Sequence, residues 1–180
     1  GYLDEGRLRE IERQAVVGKD RPITIGYRAV KQQNMHWLGR HGFKKLEIAE
    51  LFEKKAGEVG ISTDISTSAK DTFLGNEWYK FLLRCKYTIA IEGGASILDH
   101  DGSVRERTEA YLAGHPHASF DEVESACFPG RDDELNYMAI SPKHLESCAT
   151  RTCQILVEGE YNGILMPGIH YIELKRDFSN

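Results

Sequence analysis

Apolar residues in this chain recur with two periods that take turns. Phe43, Leu46, Ala49, Phe52, Ala56 and Val59 come three or four residues apart, which predicts a helix with one apolar face over 42–58. Trp78, Phe81, Leu82 and Cys85 predict another over 76–85, and the segments 104–112 and 120–127 also read as helical. Leu8, Ile11 and Ala15 predict a charged leading helix over 3–17, closed by the break Gly18-Lys19-Asp20-Arg21-Pro22. Between the helices lie short apolar runs: ITIGY at 23–27, YTIAI at 87–91 and CQILV at 153–157, with weaker ones at 61–65 and 171–174. Short apolar strands alternating with amphipathic helices predict an α/β fold, a Rossmann-like doubly wound parallel sheet with helices on both faces. The expected division is a leading helix and linker over 1–20 and one Rossmann-like domain over 21–180.

In such a sheet, ligands bind beyond the C-terminal ends of the strands, where the strand order reverses. That singles out three places. They are Arg28 after the first strand, the loop Glu92-Gly93-Gly94-Ala95-Ser96 after the central one, and a helix opened by the cap Ser141 with Pro142 in its first turn.

Composition narrows the classes. Apolar residues make up 41% and charged residues 28% of 180, the balance of a globular domain with a core. A net charge of −5 argues against a broad nucleic-acid footprint. No apolar run has the length of a membrane span, and the start of the chain lacks a secretory leader pattern. The four cysteines form no C-x-x-C pair, so a zinc ribbon is not predicted. They read as small buried apolar residues in a reducing compartment, which makes a cytoplasmic protein the expectation.

The stretch EGGASILDHDG, 92–102, carries the first candidate chemistry. Adjacent glycines at a strand end let the backbone approach a ligand and aim N–H groups at a phosphate. The pattern is neither G-x-G-x-x-G nor a Walker A sequence, and a tight turn is the plainer alternative. Asp99, His100 and Asp101 do not fit a calcium loop, because Gly102 comes too early. His115-Pro116-His117 reads as a helix stop, so no metal and no cofactor is expected. The second candidate is Glu146, a carboxylate near the start of a helix, close behind Lys143 and His144.

Three segments carry a family resemblance: WYKFLLRCKYTIAIEGGASILDHDG, ISPKHLESCATRTCQILVEGEYNGILMP and HYIELKRDFSN, with the weaker ITIGYRA and LGRHGFKK. Together they resemble the second, donor-binding domain of a two-domain GT-B-type glycosyltransferase. More narrowly, they are similar to a bacterial glycosyltransferase family 1-like group acting in cell-surface polysaccharide assembly. The resemblance implies that Glu146 takes the ribose hydroxyls of a nucleotide diphosphate sugar. An acceptor-only carboxylate suits a cis-diol, and the helix N-terminus beside it suits the diphosphate. Lys143 stands where the family often has Arg, keeping the charge and losing the fork. His144 adjoins it, and Glu92, Gly93, Gly94 and Ser96 form the loop of the same site. Arg28 and Lys45 are the cations the resemblance sets against the leaving diphosphate, with Lys44 and Arg40 as alternatives to Lys45. Met138 stands where many retaining members carry a Glu, so neither the anomeric outcome nor a catalytic base is assigned.

The function expected is therefore transfer of a sugar from a nucleotide diphosphate sugar to a saccharide acceptor. A preceding domain of the same enzyme is expected to hold the acceptor, so that this chain alone binds donor without transferring it. Two alternatives remain: a non-catalytic nucleotide- or phosphate-binding module, and a metal-dependent hydrolase using Asp99, Asp101, His115 and His117. Which sugar, base and acceptor are used is not written in these residues.

Overall fold

The structure, a computed structural model, describes residues 5–15, 20–31 and 35–180. The expected leading helix is α1, Glu5–Gln14. Its predicted ends at 3–4 and 16–17, and the break at 18–19, lie outside the described residues. The order continues β1 (Ile23–Arg28), α2 (His41–Val59), β2 (Thr63–Ser66), α3 (Asn76–Arg84), β3 (Cys85–Ala90), β4 (Gly93–Ala95), α4 (Ser103–Gly114), α5 (Phe120–Cys127), β5 (Tyr137–Ala139), α6 (Pro142–Ala149), β6 (Cys153–Val157) and β7 (Ile172–Leu174).

Five strands form a parallel sheet in the order β2-β1-β3-β6-β7. Helices flank it, and the fold is a Rossmann-like doubly wound α/β sheet. Alternation along β1 shows why both faces are covered. Ile25 and Tyr27 point to one face and pack with Ile48 and Ala49 of α2, Ile89 of β3 and Val157 of β6. Gly26 points to the other face, where a Cβ would run into Cys85 Sγ and the Phe81 ring at the end of α3. Glycine at this position lets α3 lie close on the sheet.

The chain forms two compact units. The first is 1–31, 46–92 and 140–180, and it holds the parallel sheet. The second is 32–45 and 93–139. Within the second unit β4 and β5 pair antiparallel, Gly94 opposite Met138. Val104, Leu112, Val123, Cys127 and Phe128 pack there with Ile97 into a separate core. Ser119 and Glu122 close a capping box at the start of α5.

In the first unit the strand order reverses between β1 and β3, since β2 lies outside β1 and β6 outside β3. Residues just beyond the C-terminal ends of these strands border the crevice that such sheets use for ligands. The N-terminal turns of α3 and α6 open on the same edge, because each of these helices leads into the start of a parallel strand. No helix among the described residues is long and apolar enough to cross a membrane.

Candidate functional site

A cavity of about 350 Å³ lies at this edge within the first unit. That is within the range of small-molecule sites. Its wall is apolar, from Val30, Phe73, Leu74 and Trp78, and its charged groups are Arg7, Arg28, Lys143 and Glu146. Each position has a local cause. Arg28 ends β1. Gly75, with φ of 55°, turns the chain into α3 and leaves Trp78 one turn inside that helix. Pro142 starts α6, so Lys143 lies in its first turn and Glu146 one turn further.

The Glu146 carboxylate is half-buried and held by two donors. Trp78 donates its indole N–H to Oε2 at 2.8 Å, and the Tyr79 hydroxyl donates to Oε1 at 3.2 Å. A carboxylate offers about four lone-pair positions, so two such bonds fix its orientation and leave acceptor capacity toward the cavity. Burial, with the Glu146 charge behind it, raises the Tyr79 pKa and keeps its hydroxyl a donor. Lys143 donates to the Arg28 carbonyl at 2.8 Å, and its ammonium lies 5.4 Å from the Trp78 ring centroid. Lys143 thus ties the start of α6 to the end of β1.

Arg28 is a wall of the cavity as well as a cation. Its Nε donates to Asp71 O, its Nη1 to Tyr27 O and Asp64 O, and its Nη2 to Asp64 Oδ1 at 2.6 Å. Four of its five N–H groups are therefore engaged within the protein. The guanidinium lies against two neighbouring rings, 4.9 Å from the centroid of Phe73 and 4.4 Å from that of Phe81.

The structure thus brings Arg28, Lys143 and Glu146 of the sequence-derived candidates into one cavity. The others stand elsewhere. Glu92 is buried and accepts from the backbone N–H groups of Tyr161, at 2.6 Å, and Glu160, at 3.3 Å. A Cβ on Gly159 would strike this carboxylate, which explains the glycine there. Gly93 and Gly94 belong to β4. At Gly94, with φ of 149°, a Cβ would collide with the Tyr137 carbonyl, so this glycine admits a neighbouring strand. Ser96 is buried in the second unit and donates to Asp132 Oδ1 at 2.7 Å. Lys45 falls in the second unit on α2, where burial lowers its pKa. Arg40 pairs with Asp121 at 2.6 Å in that unit.

His144 is fully buried and closes the start of α6. Its Nδ1 accepts from the Ser141 N–H at 2.9 Å, and its ring meets Tyr161 edge-on at 5.1 Å. Burial lowers its pKa to about 4. In the unfolded chain it titrates near the ordinary value of about 6.5. Between these values the unfolded chain binds more protons, so stability rises with pH through the window. The contribution is complete above about pH 6.5 and is lost as pH falls toward 4. His144→Gln keeps an acceptor for the Ser141 N–H and removes the titration. Urea unfolding at pH 7 and pH 4 should show the parent losing about 3 kcal/mol more than this variant. Equal losses would show that His144 is protonated in the fold.

Asp99 accepts from the N–H groups of Val104 and Arg105 at the start of α4, and Asp101 from that of Ser103. His115 stacks on Tyr111. Among the described residues no group of three or more His, Cys, Asp or Glu could hold a metal ion. Sequence reasoning missed Trp78 and Tyr79 as partners of Glu146, and the signal was available. An indole N–H on a half-buried face needs an acceptor, and Glu146 is a carboxylate the sequence offers for it.

In comparisons with known proteins, no family model matches the chain, and neither a curated protein nor a solved structure does.

Proposed function

We propose that the cavity at the β1/β3 edge binds the nucleoside diphosphate part of a sugar donor, and that the chain is the donor-binding part of a glycosyltransferase. The observation that carries this is the Glu146 carboxylate, oriented by Trp78 and Tyr79 and facing an aromatic-walled cavity bordered by cations. The base lies against the apolar wall, and the ribose diol donates to Glu146. The diphosphate lies toward Lys143, with Arg28 adding charge. The family resemblance supplies the reaction class, transfer of the sugar to a saccharide acceptor in cell-surface polysaccharide assembly. The partners are a nucleotide sugar, the acceptor and a companion domain that places the acceptor hydroxyl in line with the anomeric carbon.

A thermal-shift panel of nucleoside diphosphates and their sugars tests the binding claim. A ligand at 100 times its Kd stabilises a folded protein by about 2.7 kcal/mol. For a chain of this size that raises Tm by roughly 5–10 °C. Such a shift is expected with at least one nucleoside diphosphate and a smaller one with its nucleoside. No shift with any member would remove the nucleotide from the cavity.

A further inference from the structure

The cavity has one cation that arrives from outside the strand-and-helix alternation. Arg7 lies on α1 and lines the same cavity as Lys143 and Glu146. Its placement is fixed by packing. Ile11, one turn further along α1 and 4% exposed, is buried against Tyr79 and Leu83 of α3, with Ala15 beside them. Residues four apart share a helix face. The face that buries Ile11 therefore also carries Arg7, whose guanidinium lies 5.2 Å from the Tyr79 ring centroid. Tyr79 in turn donates to Glu146. Arg7, Tyr79 and Glu146 thus follow one another along the cavity wall, the first two by a cation–ring contact and the last two by a hydrogen bond.

A diphosphate needs more donors than the other two cations supply. Arg28 already donates four of its five N–H groups within the protein and is paired with Asp64. Lys143 already donates to the Arg28 carbonyl. A guanidinium fork suits two phosphate oxygens at once, whereas an ammonium acts as a point charge. We infer that Arg7 is a phosphate-contacting residue of this cavity, so that α1 is part of the donor site. The inference rests on the nucleoside diphosphate reading. The Tyr79 ring lies beside the guanidinium at the cavity wall, where the ligand's phosphates meet it.

The experiment is calorimetric titration of the parent chain, Arg7→Gln and Arg7→Lys. The probes are UDP, GDP, ADP and TDP, each beside its own nucleoside. For the diphosphate the parent binds best, Arg7→Gln should lose about tenfold or more in affinity. Its affinity for the matching nucleoside should stay within about twofold of the parent's, which also shows that the cavity is intact. Arg7→Lys should lie between, because it keeps the charge and loses the fork. If Arg7→Gln keeps the parent's affinity for the diphosphate, Arg7 does not touch the phosphates. If diphosphate and nucleoside weaken equally, Arg7 acts only by positioning Tyr79 and Glu146, and the assignment is again overturned. If the parent binds none of the four diphosphates, the nucleotide reading fails and takes this assignment with it.

Discussion

Arg21→Ala is expected to lower the stability of the chain by about 3–5 kcal/mol, a large fraction of the roughly 5–15 kcal/mol that holds a domain together. Arg21 is 3% exposed and stands before β1. Its Nη1 donates to Cys85 O at 2.8 Å, to Thr152 Oγ1 at 2.9 Å and, at the longer 3.4 Å, to Leu82 O. Its Nη2 donates to Thr150 O at 2.7 Å. The one side chain thus pins the end of α3, the start of β3 and the turn into β6. Leu82 O keeps the Thr152 hydroxyl and the Cys85 N–H, but truncation takes the Arg21 donors from the Cys85 and Thr150 carbonyls, and an unsatisfied buried acceptor costs more than a hydrogen bond contributes. Lysine cannot restore the fork, so Arg21→Lys should recover only part of the loss. Urea midpoints at constant slope measure both effects. A loss under about 1 kcal/mol for the alanine variant would mean that water or a rearranged neighbour satisfies these groups.

The second large effect is on binding. Glu146→Gln should weaken a nucleoside diphosphate by about 1.5–3 kcal/mol, the value of a hydrogen bond to a charged group. Part of the change is local. A carboxamide has one acceptor oxygen, so it cannot take both the Trp78 and the Tyr79 donors and still receive a diol. A stability loss of about 1 kcal/mol should accompany the binding loss. Trp78→Phe separates the two. It removes the indole donor and keeps an aromatic wall, so it should weaken binding less than Glu146→Gln does. Calorimetry giving the same affinity for Glu146→Gln and the parent would exclude the carboxylate from ligand binding.

The sheet was legible because its signal is local. The apolar runs at 23–27, 87–91 and 153–157 fall on β1, β3 and β6 to within a few residues, and α5 and the start of α6 fall where caps and periodicity put them. The second unit was not legible, for a physical reason. The apolar faces of α4 and α5 carry the same kind of periodicity as those of α2 and α3. Periodicity tells that a face is buried and not against what. The pairing of β4 with β5 joins residues some forty positions apart, and only the tertiary fold shows that Gly94 admits a neighbouring strand.

The site divides along similar lines. Glu146 and Lys143 could be placed because a cap and a proline fix where α6 begins, and hence which turn each occupies. Glu92 and His144 sit beside the right segments, but buried backbone N–H groups claim both as acceptors. Arg21 read as part of a break between elements, because a buried hub of carbonyls leaves no mark on the local sequence. Arg7 was hidden for another reason. Its helix has one buried residue, Ile11, and a charged surface that predicts solvent rather than a binding site.

The central claim is that Glu146 receives a ribose diol in this cavity. The most direct measurement is calorimetric titration of the chain with a nucleoside diphosphate and with its 2′,3′-dideoxy counterpart. The two differ only in the hydroxyls that would donate to the carboxylate. Saturable binding of the ribonucleotide at one site is expected, with an affinity for the dideoxy compound lower by about tenfold or more. This difference should collapse in Glu146→Gln. Equal affinity of the parent for both compounds would contradict the claim.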